Sequence, residues 1–185
     1  SAAGTRQEMT EIITERLQGL PACRAHIADL RQLHSDPLVM KTLSATGEPH
    51  SMETSKASLN RALAHWEAHG FGTWFFRQRE DERFVGYCGL RHYLVEGMAE
   101  SELLYAVTSD CWRQGFGFEM ARAVLDHGVI ALGLRSVVAF TLSNNLGSRR
   151  IMEKLGMTFE KSITHVNLPH LLYRLEPLKA SGNLT

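Results

Sequence analysis

Cys111-Trp112-Arg113-Gln114-Gly115-Phe116-Gly117-Phe118-Glu119-Met120 is the stretch that decides how this chain is read. Ahead of it, Leu103-Leu104-Tyr105-Ala106-Val107 is strand-like. Behind it, Ala121, Val124, Leu125, Gly128 and Leu132 repeat at helical spacing. A strand, a glycine-bearing turn and a helix start aim several backbone N–H groups at one place. These donors lack intrahelical partners, and the helix dipole adds partial positive charge there. An anion, most often a phosphate, suits such a cradle. The glycines let backbone approach closely, because no Cβ intervenes. Gly-x-Gly alone does not say which phosphate ligand is meant.

Working outward, residues 1–7 read as an unstructured lead and residues 11–20 as a short strand stopped by Pro21. Residues 25–34 carry Ile27, Leu30 and Leu33 at helical spacing, and Asp36-Pro37 closes that helix. Residues 41–49 read as loop. Ser51 or Thr54 caps a helix with Leu59, Ala62, Leu63 and Trp66 on its apolar face and Gly70 at its end. Residues 73–77, 84–90 and 100–107 then form an antiparallel meander around a charged turn and a Glu96-Gly97 turn. After the helix at 118–132, residues 136–142 are apolar on both faces and read as a fully buried strand. A helix at 146–155, capped near Asn144 or Asn145, and strands at 158–166 and 171–175 complete the pattern. Residues 179–185 read as a frayed tail. The order predicts an α+β (α/β) fold in one domain over residues 1–185, with flexible ends at 1–7 and 179–185.

With 185 residues the chain can bury a proper core. Its 20 basic and 20 acidic residues balance, so neither a nucleic-acid footprint nor a polybasic membrane surface is expected. No apolar run approaches bilayer length, and Ser1-Ala2-Ala3-Gly4 does not resemble a signal peptide, so a cytoplasmic protein is expected. Cys23, Cys88 and Cys111 have no Cys-x-x-Cys spacing and read as reduced, small buried hydrophobes. His65 and His69 stand one helical turn apart, but Glu67 is one place too late for a zinc-protease motif and no third ligand is evident. They read as surface histidines, and no metal is expected. Met120 occupies the third glycine position of a dinucleotide fingerprint, and a Gly-Lys-Ser/Thr P-loop is absent. Trp74, Phe75 and Phe76 read as sheet core, and His92 as a partly buried turn histidine.

Two segments carry a resemblance. Trp112-Arg113-Gln114-Gly115-Phe116-Gly117 is followed, at a suitable separation, by Asn145-Leu146-Gly147-Ser148-Arg149-Arg150-Ile151-Met152-Glu153-Lys154-Leu155-Gly156-Met157. With Glu102-Leu103-Leu104-Tyr105-Ala106-Val107 upstream, the set resembles the GNAT superfamily of acetyl-CoA-dependent N-acetyltransferases. Asp36-Pro37-Leu38-Val39-Met40 is similar to a segment of the RimJ/RimL-like branch, which acetylates the N-termini of ribosomal proteins. The resemblance spans residues 14–176. It implies a central, mostly antiparallel twisted sheet of about seven strands flanked by about four helices. It implies that Arg113, Gln114, Gly115, Phe116 and Gly117 cradle the pyrophosphate of coenzyme A. It also implies that the backbone at Tyr105, Ala106 and Val107 pairs with the pantetheine arm, and that Asn145 and Ser148 lie beside the arm and the sulfur. Two departures stand out: Trp112 and Arg113 replace the usual first residues of the loop, and Met152 stands where many relatives place a tyrosine general acid.

The implied reaction is attack of a neutral amine on a thioester carbonyl. An α-amine has an ordinary pKa near 7.7–8.0 and a lysine near 10.4, so an N-terminal acceptor needs less help to lose its proton. Glu102 is the candidate base, acting through water, with Glu100 on the same strand face as fallback. The Val107 amide is the candidate oxyanion donor and Ser148 the candidate acid. A protein or peptide N-terminus is the leading acceptor. The rivals are a small-molecule amine, such as an antibiotic, polyamine or amino acid, and a non-catalytic acyl-CoA sensor. Acceptor choice is expected in residues 33–54 and 165–170, and either a monomer or a homodimer through the last strands fits.

Overall fold

Alternation along the strands and capped amphipathic helices build an eight-stranded sheet in the order β1-β2-β3-β4-β5-β6-β8-β7. The computed structural model describes residues 10–176, so the expectations for residues 1–7 and 179–185 lie outside the described residues. The strands are β1 (Ile12–Ile13), β2 (Leu17–Pro21), β3 (Thr73–Gln78), β4 (Phe84–Val95), β5 (Met98–Val107), β6 (Val137–Leu142), β7 (Thr158–His165) and β8 (Leu168–Leu175). The helices are α1 (Ile27–His34), α2 (Pro37–Leu43), α3 (Met52–His69), α4 (Phe116–Ile130) and α5 (Leu146–Lys154). All ladders are antiparallel except β5 with β6. The parallel connection requires a crossover, and α4 supplies it by packing across β4 and β5.

The structure departs from the sequence reading in several places. Residues 11–20 break at Thr14, whose N–H donates to Leu17 O at 2.9 Å, and give two strands in place of one. Residues 37–43 are helical where a helix end and a loop were expected. Asp36 accepts the Leu38 N–H at 2.9 Å as N-cap and Pro37 opens the helix, a start signal that was read as a stop. These two differences raise the counts to eight strands and five α-helices among the described residues. The β4–β5 hairpin is longer than expected, so His92 is an exposed residue inside β4 rather than at a turn. Cys88 and Cys111 are buried as expected, but Cys23 is exposed.

Burial follows the predicted faces. Trp74 and Phe76 are fully buried, and Met120, Ala121, Val124 and Leu125 present the apolar side of α4 to the sheet. Ser51 caps α3 by accepting the Thr54 N–H, and Gly70 ends it in the left-handed region at φ 74°. No helix among the described residues is long and apolar enough to cross a membrane.

A buried polar network ties α1 to α3. The Ser55 hydroxyl contacts Ser51 O and accepts from Arg31 Nη1 at 3.0 Å, while His34 Nδ1 lies 2.8 Å from it. With the Ser55 proton directed to Ser51 O, His34 donates from Nδ1; with it directed to Nδ1, His34 accepts; in either arrangement the ring is neutral. Burial, helped by His50 and Arg31, lowers the His34 pKa from 6.5 to about 4. Folded His34 therefore resists a proton that the unfolded chain accepts. Its contribution to stability is complete above the ordinary histidine value and is lost as pH falls toward 4. The ceiling is about 3 kcal/mol, and solvent screening reduces it to roughly half. His34→Asn keeps a donor and cannot titrate, so the drop in Tm between pH 7 and pH 4.5 should be smaller in that variant. Equal drops would contradict the assignment.

Candidate active site

The cradle forms because residues 113 and 115 both adopt positive φ, Arg113 at 62° and Gly115 at 80°. Gly115 is the N-cap of α4, and Glu119 N–H is the first amide of that turn to reach a carbonyl, Gly115 O at 3.1 Å. The amides of Gly115, Phe116, Gly117 and Phe118 thus have no acceptor within the helix. Gly117 serves packing as well: a Cβ there would stand 2.8 Å from Ile151 Cδ1 and 3.3 Å from Val107 Cγ2. The start of α4, the middle of α5 and the end of β5 therefore meet at one point.

Sequence reading missed Arg16. Its guanidinium lies 4.1 Å from the centre of the Phe116 ring, donates to Gln114 O at 2.9 Å and pairs with Glu119 at 2.7 Å. Burial would raise the Glu119 pKa, but hydrogen bonds from Thr14 and Arg16 hold it below the ordinary value. The pairing keeps a helix-start carboxylate from repelling an anion in the cradle. No local pattern around Arg16 signals this, because its partners lie about a hundred positions away.

A cleft opens beside the cradle. β5 and β6 share a single ladder pair, Glu102 with Val138, and diverge beyond it. Thr108 N–H donates to Val85 O at 2.8 Å, so by alternation Ala106 and Leu104 turn their polar groups toward β4. Tyr105 and Val107 turn theirs toward the gap. The Val107 carbonyl accepts from the Trp112 indole at 2.9 Å, which leaves its amide facing the cleft. Trp112 thus braces the turn.

A cavity of about 840 Å³ brings together Glu102, Tyr105, Asn145, Ser148 and Met152. Ala106, Val107, Arg113, Gln114, Gly115, Phe116 and Gly117 do not line it. Their groups lie toward the cradle end, outside this chamber. Glu102 is 4% exposed, and its Oε2 accepts from Arg91 Nε at 2.6 Å. Burial raises the Glu102 pKa, with Arg91 opposing. No described residue donates to Oε1, yet that atom is not sealed off. Glu100, in contrast, is held by both terminal nitrogens of Arg174, at 2.9 and 2.8 Å, and does not line the cavity.

Asn145 Oδ1 caps α5 by accepting the Ser148 N–H at 3.1 Å. Ser148 Oγ lies 2.9 Å from the Tyr105 hydroxyl, which also reaches Ser148 O at 3.0 Å. Burial pushes the Tyr105 pKa up, so this phenol stays protonated at neutral pH. The single phenol proton goes either to Ser148 O, with Ser148 Oγ donating back to the phenol, or to Ser148 Oγ, and only the second arrangement frees the serine proton for the cavity. The side chain of Tyr105, which the sequence reading credited only with backbone contacts, is thereby a partner of Ser148. Residues 42–45 and His50 line the same cavity as His165 and His170, so the two stretches expected to select the acceptor share one chamber. His65 is fully engaged: Nδ1 bonds Phe71 O at 2.8 Å and Nε2 accepts the His92 N–H at 3.0 Å. No cluster of three or more possible metal ligands occurs among the described residues.

A strand end splayed from its parallel neighbour, with an anion cradle beyond it, suits an extended ligand that carries phosphate. The acetyltransferase (GNAT) domain family matches residues 16–158, and the chain belongs to that family. GNAT acetyltransferases use acetyl-CoA, and this protein is an acetyltransferase. It is 27% identical to the uncharacterized Bacillus subtilis protein YkkB, over 76% of this chain and 80% of that one. Among solved structures, an acetyltransferase from Agrobacterium tumefaciens C58 superposes with a TM-score of 0.77 at 23% identity, covering 90% of this chain and 94% of that one. RimL, a ribosomal L7/L12 α-N-protein acetyltransferase in complex with coenzyme A, gives 0.75 at 13% identity, covering 90% and 98%. At these identities the structural likeness shows the shared fold.

Removing the phenol tests the Tyr105–Ser148 pair. Tyr105→Phe should lower kcat about fivefold, the worth of one hydrogen bond. Ser148→Ala should do the same, and the double variant should be no worse than the worse single one. Additive losses, or an effect confined to the KM for acetyl-CoA, would separate the two residues.

Proposed function

We propose that this acetyltransferase moves acetyl from acetyl-CoA directly to the α-amine at the N-terminus of a protein or peptide. The observation that carries the reading is the buried Glu102–Arg91 pair in the wall of the cavity that Ser148 also lines. Burial makes Glu102 a better base than an exposed carboxylate, and Arg91 limits the gain. An α-amine, whose ordinary pKa lies about 2.5 units below that of lysine, asks less of a carboxylate base. The α-N-protein activity of RimL, which shares the fold, supports the same acceptor class.

The residues fit coenzyme A. The unpartnered amides of residues 115–118 would hold its pyrophosphate, and the cleft-facing groups of Tyr105 and Val107 its pantetheine arm. Acetyl-CoA supplies an activated acyl carbon: the amine nitrogen bonds to it as the carbon–sulfur bond breaks. Glu102 Oε1 takes the amine proton, directly or through one water. The Val107 amide would donate to the carbonyl oxygen as charge develops there. Ser148, set by Tyr105 and by the Asn145 cap, donates to the leaving sulfur. A thiol resembling cysteine has a pKa near 8.5, so a hydrogen bond suffices for departure and a strong acid at position 152 is unnecessary.

Glu102→Gln should lower kcat at least tenfold at pH 7 and abolish the acid limb of the kcat–pH profile, since only the carboxylate accepts a proton. An unchanged profile would remove Glu102 from proton transfer. Gly115→Ala puts a side chain on a left-handed residue at a cost of about 1–2 kcal/mol. It should raise the KM for acetyl-CoA about fivefold or more while leaving the KM for the amine unaltered. Thiol release, with mass spectrometry of the acetylated peptide, tests the function itself. Acetate on the α-amine supports it, and acetate on a lysine side chain would overturn it.

A further inference from the structure

Beyond Glu102 the cavity has a character that the transfer chemistry does not require. Its charged side chains are Arg61, Arg91 and Glu102, and the last two are bonded to each other at 2.6 Å. Its only carboxylate is therefore already neutralised, and Arg61 has no ion-pair partner among the described residues. The stripe of α3 that lines the chamber runs Thr54, Ser58, Arg61 and His65, one helical face without an acid. The lining from β4, β6 and the β7–β8 hairpin includes a cluster of rings among aliphatic residues. Phe140 lies 4.7 Å from His165 and 5.9 Å from His170, and Tyr93 lies 6.2 Å from Phe140.

A ring cluster of this kind could hold a cation, but the Arg91 guanidinium already covers the Tyr93 ring at 4.2 Å. A second ammonium on an acceptor would lose water without gaining a carboxylate and would meet Arg61 at the rim. A carboxylate following the reactive amine would instead meet Arg61.

We propose that the acceptor is an N-terminus followed by acidic residues, that Arg61 reads the acidic segment, and that polycationic amines are rejected. The inference rests on the reading of this cavity as the acceptor site for an α-amine. It names which N-termini enter: those carrying Asp or Glu within the first few residues, not those carrying Lys or Arg.

The test is thiol release from acetyl-CoA with matched heptapeptides that differ only in residues 2–5, acidic, neutral or basic. Spermidine, free glutamate and an α-N-blocked lysine peptide are run beside them at fixed ionic strength. The expected result is a kcat/KM at least tenfold higher for the acidic than for the basic peptide, narrowing as salt is raised. Exposed Arg61 can be reversed without disturbing the core, and Arg61→Glu should bring the acidic-to-basic ratio to unity or below. A wild-type preference for the basic peptide or spermidine would overturn the proposal, as would a ratio untouched by Arg61→Glu. Faster turnover of free glutamate than of any peptide would overturn its peptide part. Turnover of the blocked lysine peptide would instead sink the α-amine reading, because the acidic-to-basic ratio is measured independently of it.

Discussion

Two neighbouring parallel strands that touch at one pair create the site. β5 and β6 are held together at Glu102 and Val138, and the crossover through α4 lets them part beyond that point. Divergence withholds a strand partner from Tyr105 and Val107. Buried backbone groups without partners are costly, so the gap asks for an extended ligand that can act as the missing strand. The same geometry sets Glu102 at the apex, where the strands are still closed and water is scarce. Its burial, and the effect of burial on its proton affinity, follow from its place at the last paired position.

The two helices that start near the cleft divide the work. α4 opens with left-handed Gly115 and unpaired amides, which attract an anion but offer no side chain for proton transfer. α5 opens with Asn145 occupied as its cap, and this turns Ser148 toward Tyr105. Ile151 packs over Gly117 and fixes the middle of α5 against the start of α4. A change in either helix should therefore be felt at both ends of the ligand.

Most of the sheet was legible because alternation and turn residues are local signals. The Glu96-Gly97 turn, the buried strand at β6 and the caps of α3 and α5 read directly from neighbouring residues. Asp36-Pro37 was misread because the same pair can end one helix and begin the next, and only the hydrogen bond to Leu38 decides between them. Motif order marked Glu102, Tyr105, Asn145 and Ser148, and these do share one cavity. What stayed hidden depends on contacts distant in sequence. Arg16 supports a loop about a hundred residues away, Arg91 meets Glu102 across a hairpin, and the Tyr105 hydroxyl meets Ser148 across the cleft. The charge of the chamber was equally invisible, since a net charge of zero says nothing about which side chains line one cavity.

Residue-resolved amide hydrogen exchange, with and without acetyl-CoA, addresses the cleft directly. The Tyr105 and Val107 amides should exchange readily in the free protein and become protected when acetyl-CoA binds, together with those of residues 115–118. The Ala106 and Leu104 amides, already bonded to β4, should change little. Protection that spares Tyr105 and Val107, or that falls on the exposed edge of β7, would contradict the account.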